Sequence, residues 1–370
     1  MRIIRARNVN GAFNDGMHLL DEWGLDEPSR AGPVKVAPWP VTTIYEIPCE
    51  RVLLEPKRDA NPFFHLMEGL WMLAGRNDAA YLNRYVATFG ERFAEPTVMF
   101  QRESDRVIHD AYGHRWRRAF GFDQLVVIVK KLRDNPQDRQ CVLQMWDATA
   151  WDEMDLATRT NDSDVLGQDD LQGDWVGRPC NTHAYFRVQE EKTRILDAEI
   201  QTRSLDMTIC CRSNDAIWGA HGANAVHFSM LLEYLAGKIG VEVGTMYQVS
   251  NNYHAYIDET NRIGDPVHLT DNDPYEDDAI SATPMGTDWW QWDDDLRTFM
   301  LWHDRLWGAS GPTSMDGIFN EWFLTTAAPV ALARFQWCNA LRKSALKTVE
   351  SIESTDWRRA CVEWMGRRHK

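Results

Sequence analysis

Apolar residues crowd residues 62–75, Pro-Phe-Phe-His-Leu-Met-Glu-Gly-Leu-Trp-Met-Leu-Ala-Gly. That run predicts a helix buried on all sides and ended by Gly75, with one carboxylate, Glu68, inside it. Leu125, Ile128, Val129 and Leu132 recur at helical spacing and predict an amphipathic helix over 122–134. A third helix starts near Asn224 and runs through Leu231, Leu232 and Leu235 to Gly237 or beyond. Residues 140–146 and 183–189 read as strands, and 194–211 as one or two more. Residues 12–60 read as short strands and Pro-rich turns, of which Val41-Thr-Thr-Ile-Tyr45 is the clearest. Residues 296–350 return to a helical pattern. No internal repeat or low-complexity linker interrupts the chain.

At ~150 residues per domain, 370 residues allow two or three domains, or one large one with insertions. The net charge of −15 excludes a general electrostatic pull on nucleic acid or anionic lipid, so any phosphate site must be local. The 17 Trp, 14 Phe and 10 Tyr supply a sizeable core and exclude wholesale disorder. No apolar run reaches the ~18–20 residues of a membrane span. The opening residues lack the hydrophobic stretch of a secretory signal. The seven cysteines match neither a zinc spacing nor a disulfide framework, which points to a reducing cytoplasm, that of the host if the source is viral. Two acidic stretches, 152–174 and 271–295 (the second around Trp289, Trp290 and Trp292), lack the EF-hand spacing. They read as solvated loops, and no metal is expected.

Taken singly, the polar residues leave alternatives open. Cys180, after Pro179 at the start of a strand, is a small buried hydrophobe or a nucleophile whose thiolate Arg178 and Arg212 would favour. His183 would face away from it across the strand, which argues against a Cys–His protease. Arg212-Ser213-Asn214-Asp215 is an anion site or a turn with a salt bridge. Tyr112-Gly-His-Arg-Trp-Arg117 is basic and aromatic, but on so acidic a chain it is not a nucleic-acid site. Glu68 is a core carboxylate with a satisfied partner or a base with a raised pKa.

Order decides among these readings. Glu68-Gly-Leu-Trp-Met-Leu-Ala-Gly75 precedes Tyr112-Gly-His-Arg-Trp-Arg117, Asp123-Gln124 and Asn135-Pro-Gln-Asp-Arg139. Trp146, Pro179-Cys180, Arg212-Ser-Asn-Asp215, Gly219, Asn224 and His254-Ala-Tyr256 follow. From about residue 29 to 257 the chain resembles the thymidylate synthase and pyrimidine hydroxymethylase family. The resemblance implies an α/β fold with a large mixed β-sheet flanked by helices, dimerising through the sheet. It divides the chain into a catalytic core over 1–260, with the acidic insertion at about 152–175, and a C-terminal extension over 261–370. It implies transfer of a one-carbon unit from 5,10-methylenetetrahydrofolate, as co-substrate, to carbon 5 of a pyrimidine nucleoside monophosphate. Carbon 5 is a poor nucleophile until a thiolate adds at carbon 6, the role that Cys180 matches. Arg212 matches an arginine that binds phosphate and lowers the thiol pKa. Glu68 and Tyr112 match a proton-transfer network. Asn224 lies close to the amide that reads the base edge, with His221 and His227 nearby as contributors. His254 and Tyr256 match the pair on the ribose 3′-hydroxyl. Ser213 matches a phosphate ligand, Asp215 an aspartate whose main chain meets the pyrimidine, and Arg30 the N-terminal phosphate arginine. Arg139 matches an arginine that reaches the other subunit's phosphate in a homodimer.

The departures sharpen this expectation. Synthases carry a second arginine where this chain has Gln140, and His where it has Asn181. One extra residue lies between Gly219 and Asn224, which makes Ala223 a rival for the base-reading position. The synthases' tryptophans near residue 90 are replaced by Gly90 and Phe93, and no Trp occurs between Trp71 and Trp116. An indole there keeps water off the exocyclic methylene. Its loss implies hydroxymethylation, of dUMP rather than dCMP because Asn224 carries an amide. Such an enzyme would serve a virus that modifies its DNA, or a nucleoside pathway. The alternatives are a thymidylate synthase with a divergent wall and an inactive nucleotide-binding homologue.

Overall fold

The computed structural model describes residues 1–95, 106–148, 170–171, 175–195, 198–270, 272–308 and 314–369. Of the acidic stretch 152–174, only Asp170 and Leu171 lie among the described residues.

In chain order the elements are β1 (Arg2–Ala6), α1 (Val9–Trp23), β2 (Leu25–Glu27), β3 (Val34–Val36), β4 (Val41–Tyr45), α2 (Pro62–Leu73), α3 (Ala79–Asn83) and α4 (Phe89–Phe93). Next come α5 (Tyr112–Arg117), α6 (Gln124–Asp134), β5 (Val142–Gln144), β6 (Asn181–Ile195), β7 (Ala198–Cys211) and β8 (Asn214–Asp215). A π-helical segment, Ala216–Ala223, leads into α7 (Asn224–Ile239). After β9 (Glu242–Ser250), β10 (Tyr253–Tyr256) and α8 (Ile257–Ile263), the chain closes with α9 (Trp292–Leu306), α10 (Ala328–Cys338), α11 (Arg342–Glu350) and α12 (Thr355–Arg368).

Six strands form a mixed sheet in the order β1-β4-β9-β7-β6-β5, parallel at β1/β4 and β9/β7 and antiparallel elsewhere. On β7, Leu205, Met207, Ile209 and Cys211 are buried, while Asp206, Thr208 and Cys210 between them are half-buried. That alternation is the period of a sheet with one covered face. The cover is α7 on β7 and β9 and α1 on β1 and β4, with α2 packed against α7; the side chains of α2 and α7 are buried almost all round. Asn61 caps α2 by accepting from the Phe64 N–H, and Pro62 fills the first helical position. Gly240, at φ 87°, takes the left-handed turn that ends α7.

The helices expected at 62–75, 122–134 and from 224 are all present. Residues 12–60 differ from expectation, because Val9–Trp23 is a helix. Gly11, Asn14 and Gly16 lower local helix propensity, but Val9, Ala12, Phe13, Met17 and Leu20 line one buried face. Asn8 also caps the first turn by accepting from the Asn10 and Gly11 N–H groups. Burial of that stripe outweighs propensity.

The segment beyond residue 260 packs on the rest through specific contacts. Asp304 pairs with Arg76 and Arg84, His303 meets the Tyr85 hydroxyl, and Trp364 stacks edge-on against Phe63 at 5.4 Å. Trp292 is buried and Trp290 is 79% exposed. No described helix is long and apolar enough to cross a membrane.

Candidate active site

The β6–β7 hairpin sets the centre of the site. Asn181 pairs with Cys211, so Cys180 and Arg212 meet one step beyond the paired strands. There the Arg212 N–H donates to the Cys180 carbonyl at 2.9 Å. The Arg212 guanidinium donates through Nε to the Pro179 carbonyl and through Nη2 to the Arg178 carbonyl, each at 2.9 Å. It also lies 5.6 Å from the Trp146 ring centre. Arg212 therefore stitches the thiol-bearing loop to the strand end. Burial pushes the half-buried Cys180 thiol up; the Arg212 cation opposes this, while Asp110 and Asp215 add to the rise. The net direction is upward, so at neutral pH the unliganded thiol is protonated. The sequence suggested only the lowering effect of Arg178 and Arg212.

Tyr112 opens α5, and its phenol lies against Cys180 and Asn181. Burial raises this phenol well above its ordinary value. At the next residue, Gly113, a Cβ would fall inside the Met72 backbone of α2. Only glycine allows α5 to approach α2 this closely.

A chain of buried amides runs from the thiol's neighbour to the sheet. Asn181 Nδ2 donates to Asn224 Oδ1 at 3.3 Å, and Asn224 Nδ2 donates to Asn214 Oδ1 at 3.0 Å. Asn214 Nδ2 donates to Gln248 Oε1 at 2.8 Å and to Ser250 Oγ at 2.9 Å. The Cys211 thiol donates to Asn181 Oδ1 at 2.8 Å. The residue joined to Asn181 is Asn224 rather than Ala223. The extra residue that made these two rivals is absorbed in the π-helical segment, where Gly222 departs from helical geometry (φ −115°, ψ −114°).

A cavity of about 410 Å³ opens beside the thiol loop, with Arg30, Arg178, Arg212, Ser213, His254 and Tyr256 among its walls. Its floor is the small sheet β2-β3-β10-β8, in which His254 registers with Asp215 and Val36. His254 Nδ1 meets Asn252 Oδ1 at 2.8 Å, and its ring lies edge-on to Tyr256 at 5.9 Å. The Asp215 Oδ1 atom accepts from the Ile217 and Trp218 N–H groups, both at 2.7 Å. Its other oxygen is buried without a hydrogen-bond partner, and burial raises its carboxyl.

Glu68, buried in α2, meets His227 of α7, with Oε2 3.0 Å from Nε2. His227 follows Asn224 by three residues, on the same helix face. His221 stands elsewhere, between the hydroxyls of Tyr45 (3.0 Å) and Tyr253 (2.7 Å). Arg139 is exposed in the turn after α6 and does not line the cavity. A Cβ at Gly90 would meet the Asn83 and Ala79 side chains at 3.0–3.2 Å, a tight contact, and Phe93 is 45% exposed. Sequence reasoning passed over Asp110, whose carboxyl is raised by burial and acts on both Cys180 and Tyr112. Its signal was its place two residues before Tyr112. No group of three metal-ligating side chains stands together among the described residues.

The family model for thymidylate synthase matches residues 57–271. The deoxyuridylate hydroxymethyltransferase of Pseudomonas phage M6 is 39% identical, across all of this chain and 95% of that protein. That of Bacillus phage SP01 is 30% identical, across 60% of this chain and 50% of its own length. The thymidylate synthase of T4 phage superposes with a TM-score of 0.45 at 16% identity, covering 68% of this chain and 78% of that one.

Proposed function

The chain belongs to the thymidylate synthase family, a family of one-carbon transferases, and within it we propose that this enzyme hydroxymethylates carbon 5 of dUMP with 5,10-methylenetetrahydrofolate. The observation that carries the proposal is the full-length likeness to the phage M6 deoxyuridylate hydroxymethyltransferase. The lack of an indole at Gly90, which packs tightly against Asn83, supports it.

The Cys180 thiolate adds to carbon 6, and the displaced electron pair makes carbon 5 a nucleophile toward the one-carbon unit. Carbon 5 gives up its proton, and tetrahydrofolate leaves with its ring unoxidised. Water adds to the exocyclic methylene, and the returning electron pair expels Cys180. Arg30, Arg212 and Ser213 hold the phosphate, and His254 and Tyr256 hold the ribose. The cavity that these five residues line beside the thiol loop supports that division.

Asn224 supports uracil over cytosine. Its carbonyl accepts from Asn181 and its amide donates to Asn214, so flipping the amide would set donor against donor and acceptor against acceptor. One N–H and one lone pair remain. They match O4 and the N3–H of uracil.

The sheet face away from the helices, with exposed Val142 and Tyr185 and half-buried Thr208 and Tyr247 in one cross-strand row, supports a homodimer in which Arg139 reaches the partner's phosphate. Mixing Arg139→Ala with Cys180→Ala should then restore activity to one hybrid site per dimer. No recovery on mixing would exclude the shared site.

The deciding experiment is mass spectrometry of the product from methylenetetrahydrofolate and a mixture of dUMP, dCMP, UMP and CMP. The expected product is 5-hydroxymethyl-dUMP without dihydrofolate. Methylated dUMP with stoichiometric dihydrofolate would make the enzyme a synthase, and no product would favour a nucleotide-binding homologue.

A further inference from the structure

Three buried polar atoms gather where α2 meets α7. Glu68 Oε2, His227 Nδ1 and His227 Nε2 all lack hydrogen-bond partners, although carboxylate and imidazole approach to 3.0 Å. Glu68 is 6% exposed and His227 2%. Buried polar groups are ordinarily paired, so the persistence of these points to a task. Gly69 lies at this meeting point, where a Cβ would run into the end of the Met230 side chain and require it to move. The residue after Cys180 offers no imidazole, and the Asn181 amide is committed to Asn224 and Cys211. The imidazole in contact with Glu68 is therefore the one supplied by α7.

We propose that His227 is a positioning residue for water addition, aiming the Glu68 carboxylate at the water that attacks the exocyclic carbon. The inference rests on the hydroxymethylation reading. As the water oxygen bonds to that carbon, one water proton passes to Glu68. The displaced electron pair enters the ring and expels the Cys180 sulfur from carbon 6. The proton then neutralises the departing thiolate, and the carboxylate is free again. His227 stabilises the charged carboxylate before the step and accommodates the neutral acid after it. Earlier proton transfers also draw on Glu68, through the network it shares with Tyr112, and do not require His227.

The test compares native enzyme with His227→Gln, using dUMP tritiated at carbon 5. Tritium release reports the steps through loss of the carbon 5 proton, and hydroxymethyl product reports water addition. His227→Gln is expected to bind dUMP within about threefold of native and to release tritium in the first turnover at near-native rate. Its product should form at least tenfold more slowly, ~1.4 kcal/mol on the later barrier. Equal slowing of tritium and product, or slowing of neither, overturns the proposal. Should His227→Gln and His227→Asn both lose dUMP binding, the imidazole only holds α2 to α7 and the proposal fails. If the native enzyme itself makes methylated dUMP and dihydrofolate, the functional reading has failed first and this inference falls with it.

Discussion

Cys180 shows how burial and charge compete at one atom. The neighbouring arginine pulls the thiol toward ionisation, yet desolvation wins and the net shift is upward. Alkylation of the free enzyme at Cys180 should therefore rise with pH to a midpoint above the ordinary thiol value of about 8.5. Iodoacetamide labelling followed by peptide mapping checks this, and a midpoint below neutrality would contradict it. The sequence announced Cys180, Arg212, Tyr112 and Glu68 through their shared order. It hid Asp110, which does not stand out by periodicity. It placed His227 beside the base-reading amide, and only the meeting of α7 with α2 sets its imidazole against Glu68.

Helices and strands were legible where their pattern was unmixed. The apolar run of α2 and the long buried α7 stood out, while α1 was masked by its own Gly and Asn residues. The π-helical segment was visible only as a spacing anomaly, one residue too many before Asn224. Contacts between elements had no sequence signal at all, and Gly113 is the clearest case. Gly113→Ala should push α5 away from α2, cost ~1–3 kcal/mol of stability, and displace the adjoining Tyr112. Urea unfolding and turnover together check this: the unfolding midpoint should fall and kcat should drop more than nucleotide affinity. An unchanged kcat would show that α5 can shift without moving the phenol.

Across the whole molecule, buried neutral histidines tie stability to pH. Burial holds His221 down to about 3 and His303 to about 4, and keeps His65 well below its ordinary value. Unfolded, each takes a proton near pH 6.5; folded, each resists it. Their contribution is complete above pH 6.5 and is lost as the pH falls toward those folded values. Each imidazole removes up to ~1.4 kcal/mol per pH unit. The thermal midpoint should decline from pH 6.5 to 5, and His221→Gln should flatten that slope; equal slopes would refute the assignment.

The edge contact between Trp364 and Phe63, together with the ion pairs of Arg367 and Arg368 to Asp59, makes α12 the rear wall of the helix that carries Glu68. Residues 355–369 are thus not a detachable appendage. A protein cut before them would expose the apolar back of α2 to solvent, and an uncovered patch of that kind drives aggregation. The yield of such a shortened enzyme would be insoluble material and protease fragments before any question of its kinetics arose.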